Sequence, residues 1–171
     1  KNLIFIEVVK EYIGNTLNFE LDQIKNQNAS IKIISLEKKL EYNLTIKNQN
    51  IKLKGIIDRI DMFNDGVRII DYKSGNINSG VLDIRNIDKV KIDHKYSYLL
   101  QLLFYKYLFG MNDKNIQIKE IGICSLKKRN LPFQFIKNQA ILSLEEIQMI
   151  ISDIIIDLMR TNEFIDSGNP L

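Results

Sequence analysis

Asp58, Asp71 and Lys73 are the side chains whose types and spacing point to chemistry in this chain. They sit in two apolar-flanked stretches, Gly55-Ile-Ile-Asp58-Arg-Ile-Asp61 and Ile69-Ile-Asp71-Tyr-Lys73-Ser-Gly75, on either side of the turn signal Asn64-Asp65-Gly66. A two-residue loop at Asn64-Asp65 sets Asp58 opposite Asp71, whereas a loop at Asp65-Gly66 sets it opposite Lys73. Opposed residues share a sheet face, as do residues two apart on one strand, so under either register all three project from the same side. Only an odd-length loop or a bulge would separate them. Two carboxylates on neighbouring strands repel unless a cation lies between them. A hard divalent ion such as Mg2+ takes one or two carboxylates plus phosphate oxygens and water. Beside it, Lys73 would hold and activate a water or steady the charge that develops at phosphorus. The plainer reading is an Asp–Lys ion pair on a solvated hairpin. Against it, Ile56, Ile57, Ile60, Ile69 and Ile70 argue for a central, mostly buried hairpin where charge needs a reason.

Counting residues excludes much other chemistry. The 171 residues include one cysteine, Cys124, and one histidine, His94. There is thus no internal disulfide, and these two cannot build a zinc site or an iron–sulfur cluster; Cys124 reads as a small core residue. A serine or cysteine triad would need His94, whose neighbours Asp93 and Lys95 place it in a solvated loop. A net charge of +3 is only a mild lean towards anionic partners, so a nucleic-acid surface must be a local patch. At 45% hydrophobic and 26% charged, the chain reads as one globular domain, residues 1–171. The best apolar run, Ile147 to Met159, is interrupted by Ser152, Asp153 and Asp157, so no membrane span is expected. The chain opens at Lys1 without a signal-peptide pattern, and is read as a cytoplasmic piece excised from a longer protein.

The elements that must position the charged residues follow from periodicity. Leu3, Ile6, Val9, Ile13, Leu17, Leu21 and Ile24 predict an amphipathic helix over 3–25, broken near Gly14 and ended by Asn26-Gln27-Asn28. Residues 31–36 are β-rich, and Leu40, Tyr42, Leu44 and Ile46 alternate as a second, half-buried strand. After a turn at 47–50, strands follow over 51–62 and 67–73. Residues 74–94 read as a long mobile loop, and the basic residues in and beside it, Lys73, Arg85, Lys89, Lys91 and Lys95, are expected to track a phosphate backbone. A helix over 95–109 should stop at Gly110, and strands are expected over 116–126 and 132–136. Ser143-Leu-Glu-Glu146 is a capping box that opens a last helix to about Arg160. The fold class expected is α/β, a central mixed sheet flanked by helices.

Taken in order, Gly55 to Asp61, Asp71 to Gly75 and Gln101-Leu-Leu-Phe-Tyr105 resemble the PD-(D/E)XK nucleases, specifically the RecB/AddB-type branch. The branch has Gly-x-Ile-Asp-Arg-Ile-Asp, then Asp-Tyr-Lys-Ser/Thr-Gly, then a helix bearing Gln-x-x-x-Tyr, whose two residues stack on one helix face. The resemblance implies a restriction-endonuclease-like core and a nuclease that binds Mg2+, or Mn2+, through Asp58, Asp71 and the backbone carbonyl of Tyr72. It implies that Lys73 assists the attacking water, and that Gln101 and Tyr105 contact DNA or brace the site. A further acidic residue upstream is a feature of the branch, and Glu37 is the candidate, with Glu41 as runner-up. The implied partners are DNA, as single-stranded ends, and a helicase subunit or region of the parent protein, in recombination and repair.

The chain departs from that pattern twice. Members of the branch often carry a histidine ligand in an upstream helix, but His94 follows the Asp71-Tyr-Lys73 motif. Many also hold an iron–sulfur cluster between flanking cysteines, and none is expected within this chain. Two readings from other classes therefore stand beside the nuclease: a catalytically silent DNA-binding module of the same fold, and an unrelated interaction domain with an ion-paired hairpin.

Overall fold

Helix α1 (Asn2–Asn26) leads into three strands, β1 (Ile31–Ile46), β2 (Gln49–Phe63) and β3 (Gly66–Lys73). Helix α2 (Ser97–Asn112), strands β4 (Ile118–Ser125) and β5 (Phe133–Phe135), and helix α3 (Leu144–Arg160) follow. The structure, a computed structural model, describes residues 2–113, 116–138 and 142–161. The strands form one sheet in the order β1-β2-β3-β4-β5, with β3 and β4 parallel and the other neighbours antiparallel. This is the mixed, helix-flanked α/β sheet that the sequence predicts. The apolar core lies where α2 packs on the sheet and α3 packs on α2, with Ile57, Ile69, Leu102, Leu103, Leu108 and Ile121 all but inaccessible. Covered on both sides, α2 is apolar nearly all round rather than along one stripe.

The elements depart from the sequence reading in five places. Residues 31–46 are one strand, not two, with a register irregularity between Ile33 and Ser35 and a left-handed residue at Glu37 (φ 49°). Those breaks shift the phase of the alternation, which is why the pattern reads as two strands. Helix α1 runs unbroken through Gly14. It ends where expected, on the left-handed Asn28 (φ 55°), with the Ala29 N–H donating to the Gln23 carbonyl. Its apolar stripe does not face the sheet: Leu3, Ile6, Ile13, Leu17, Leu21 and Ile24 are all exposed, while Thr16 and Glu20 are buried.

The segment 74–94 is not a mobile loop. It folds into short 3-10 turns capped by the side chains of Asn78, Asp83 and Asp93, and Ile77, Leu82, Ile84 and Val90 pin it to the core. Lys137 bonds it to the β5 side of the sheet through the Ile84 N–H and the Leu82 carbonyl. Turns this short have no apolar period, so their polar caps read as loop. Helix α2 also runs on past Gly110. A Cβ at that position would lie 2.7 Å from Leu144 Cδ1, so the glycine admits α3 rather than stopping the helix. The capping box forms as read: Ser143 Oγ accepts from the Glu146 N–H at 3.2 Å, and Glu146 Oε2 accepts from the Ser143 N–H at 2.8 Å.

Candidate active site

The β2–β3 hairpin adopts the first of the two registers considered. Asn64 is left-handed (φ 54°), and pairing runs from Phe63↔Gly66 to Arg59↔Ile70. The next rung would set Asp58 against Asp71, but backbone pairing stops there. Asp58 Oδ2 instead accepts the Tyr72 N–H at 2.8 Å, so a carboxylate takes the place of a strand carbonyl. Asp71 projects towards α2, where Gln101 Nε2 donates to its Oδ1 at 3.1 Å and the Tyr105 hydroxyl lies 3.5 Å from the same oxygen. Gln101 Nε2 also lies 2.8 Å from Tyr105 Oη, so these helix neighbours brace each other as well as the carboxylate. Gly55 makes that reach possible. A Cβ there would meet Leu108 Cδ1 at 2.8 Å and Tyr105 at 3.5 Å, so a larger residue would force the Leu108 side chain to shift beside Tyr105.

Lys73 Nζ lies 2.8 Å from Asp71 Oδ2 and 5.4 Å from the centre of the Tyr98 ring. Burial pushes the Asp71 carboxyl above the usual carboxylate range; Lys73 opposes this and the nearby negative charge of Asp58 adds to it. For Lys73 burial works the other way, but Asp71 outweighs it and holds the ammonium above its ordinary pKa. Beyond the Lys73 ammonium, the buried Asp71 Oδ2 has no further hydrogen-bond donor among the described residues. A desolvated, under-satisfied oxygen next to a second carboxylate suits a small divalent cation, and Asp58 and Asp71 are oxygen donors of the hard type such an ion prefers. Tyr72, whose peptide N–H already holds Asp58, directly follows Asp71 in sequence.

The structure thus brings together Asp58, Asp71, Lys73, Gln101 and Tyr105. It does not bring Glu37 to them as a third acid. Glu37 occupies the β1 position facing Asp58, between Leu36↔Arg59 and Lys38↔Ile57, but its left-handed backbone takes its side chain off the strand's alternation and it is exposed. Among the described residues, no three His, Cys, Asp or Glu side chains are gathered as a metal cage requires. Glu41 pairs with Lys52 and Lys54 on the exposed surface. Most of the expected strand-tracking cations are held by neighbouring acids: Arg85 by Asp83 at 2.7 Å, Lys95 by Asp93 at 2.7 Å and Lys91 by Asp153 at 3.2 Å. His94 is exposed and Cys124 buried, as read from the sequence; burial pushes the Cys124 thiol up to about 11.

Residues 4–160 match the sequence model of the PD-(D/E)XK nuclease superfamily. The chain belongs to that superfamily. No curated protein matches it. A solved structure, the "Crystal structure of SSO0001", is similar over 85% of this chain and 58% of its own, at 17% identity and a TM-score of 0.46. This chain therefore spans less than two thirds of that one.

On the opposite face of its sheet, this PD-(D/E)XK domain carries a second charged group that sequence reasoning missed. Arg59, Asp61 and Arg68 of the hairpin meet Glu20 of α1, and all four are buried. Arg59 and Asp61 lie inside the recognised motif, but their partner does not. The one signal for Glu20 was an acidic residue beside the apolar stripe of α1, and Arg68 was hidden in an otherwise apolar strand. No helix among the described residues is long and apolar enough to cross a membrane.

Proposed function

We propose that this domain is a metal-dependent deoxyribonuclease of the RecB/AddB type, hydrolysing phosphodiester bonds near single-stranded DNA ends as part of a helicase–nuclease in recombination and repair. The observation that carries this reading is the environment of Asp71: a buried carboxylate with one oxygen braced by Gln101 and Tyr105, the other beside Lys73, and Asp58 close enough to repel it. Asp58 and Asp71, with the Tyr72 carbonyl, would hold Mg2+ or Mn2+. Such an ion, when bound, polarises the scissile phosphate and favours the ionised form of the attacking water.

The chain's own residues supply the rest. Gln101 and Tyr105 fix the Asp71 carboxylate so that its Oδ2 keeps one orientation. Lys73 stays protonated at neutral pH, so it suits orienting the nucleophile or offsetting charge on the phosphoryl oxygens better than taking a proton. Leu126, at the start of the turn bearing the exposed Lys127 and the half-buried Lys128, donates its N–H to the Lys73 carbonyl at 2.9 Å, which sets that turn next to the site strand. A catalytically silent DNA-binding module is the second reading, favoured by the exposed Glu37 and the missing third acid.

Cleavage of single-stranded DNA with Mg2+ or Mn2+, by wild type and Asp71→Ala, separates the two. Loss of a group that acts on transition-state charge is expected to cost about 10²–10³-fold in rate or more. Equal rates in the two folded proteins would overturn the nuclease reading in favour of the silent module.

A further inference from the structure

The buried charges on the α1 side are not part of the chemistry just described, yet one of them touches a residue that is. Glu20 accepts from Arg59 through both oxygens, Nη2 to Oε1 at 2.8 Å and Nη1 to Oε2 at 3.2 Å. Arg59 Nη2 also lies 2.6 Å from Asp61 Oδ2. Arg68 locks Asp61 from the other side, its Nε and Nη2 donating to Oδ1 at 2.9 Å and Oδ2 at 3.0 Å. A planar guanidinium fixed by two carboxylates has little freedom left. Its remaining bond is to the site strand: Nη1 lies 3.1 Å from Tyr72 Oη.

We propose that Arg59 is a positioning residue for the carboxylate site, acting through Tyr72. The Tyr72 side chain is held at its hydroxyl on the α1 face, and its peptide N–H is held at 2.8 Å by Asp58 Oδ2 where the β2–β3 ladder ends. Tyr72 is therefore fixed from both directions, and through it so is the Asp58 carboxylate that faces Asp71. Glu20 makes the docking of α1 a condition for this, because it is the helix's acidic contact with both arginines. A quartet that only stabilised the fold would leave the Tyr72 N–H bond unaffected by loss of the hydroxyl. The proposal rests on the nuclease reading for its consequence but not for its test.

Tyr72→Phe removes one oxygen and leaves Glu20, Asp61 and both arginines in place. In metal-free protein, amide hydrogen exchange at residue 72 should quicken roughly five- to tenfold relative to Ile70, the size expected for loss of one supporting hydrogen bond. Glu20→Gln, which removes the charge that orients Arg59, should quicken it further. In DNA cleavage, Tyr72→Phe should raise the Mg2+ concentration for half-maximal rate by a similar factor while the DNA KM stays unchanged, a split that general destabilisation does not produce. Unchanged exchange at residue 72 in folded Tyr72→Phe overturns the proposal. The exchange measurement uses neither metal nor DNA, so a wild type that fails to cleave would sink the nuclease reading and still leave the relay decided.

Discussion

On the α1 side of the β2–β3 hairpin, Glu20 and Asp61 meet Arg59 and Arg68, two acids against two bases, every one of them buried. On the α2 side, Asp58 and Asp71 are drawn together with Lys73 alone as their close cation among the described residues. The same strands thus carry two charge clusters, one neutral and one with negative charge in excess. Burial penalises the Arg59 charge, but its bonds to Glu20 and Tyr72 outweigh that and hold it well above the ordinary guanidinium range. Burial penalises the Asp71 charge too, and there the partners do not make up the difference. Pairing therefore separates structure from site: a complete cluster stabilises one conformation, and an incomplete one is ready for a further cation.

The sharpest way to break that comparison is to remove one member of the complete cluster. Asp61→Ala leaves Arg59 and Arg68 short of a counter-charge in an apolar setting and should cost about 3–5 kcal/mol in urea unfolding. Asp71→Ala, by contrast, relieves repulsion and should leave the metal-free fold near wild-type stability. Comparable losses in both would mean the two clusters do the same structural work.

A smaller effect is expected from pH and divalent ion together. The Asp71 carboxyl lies above its unfolded value of 3.8. The folded state therefore binds more protons than the unfolded chain between those two values, so Asp71's contribution to stability falls as pH rises through that window. The cost is complete above the folded pKa. Asp71→Asn, which stays neutral, should accordingly gain on wild type as pH rises from 4 to 7 without divalent ions. Mg2+ needs the ionised carboxylate, so its stabilisation of wild type should grow over the same range, reaching about 2.7 kcal/mol at a hundredfold excess over Kd. Melting curves with EDTA and with Mg2+ at several pH values check both; a Mg2+ effect that shrinks as pH rises would contradict the assignment.

The smallest effect tests the same contrast at the surface. Lys127 and Lys128 have no ion-pair partner among the described residues, whereas Arg85 and Lys95 lie against Asp83 and Asp93. Binding of single-stranded DNA, with calcium in place of magnesium, should lose about 1.4 units of slope in log affinity against log salt in Lys127→Ala/Lys128→Ala, taking roughly 0.7 per contact. Arg85→Ala/Lys95→Ala should lose less. Equal losses would show that local pairing does not decide which cations meet the strand.

The sequence by itself determined the order of the main strands and helices and the sheet face that the site residues share. Asn64-Asp65-Gly66 allows two even registers, each keeping Asp58, Asp71 and Lys73 on one face, and a helical spacing of four stacks Gln101 on Tyr105; these are local rules of turn and period. The tertiary structure decided which register holds, and that Asp58 bonds the Tyr72 N–H because the β2–β3 ladder ends at Arg59↔Ile70. It decided that Glu37 is exposed, through a left-handed residue that no alternation pattern announces. It also decided that α1 lays Thr16 and Glu20, not its apolar stripe, on the sheet. Amphipathic spacing reports that a helix has an apolar side, but the face that docks is chosen by what waits on the other surface. Here that surface holds Arg59 and Arg68, and buried cations select an acid over a leucine because an unpaired charge in an apolar interior costs more than an exposed side chain forgoes.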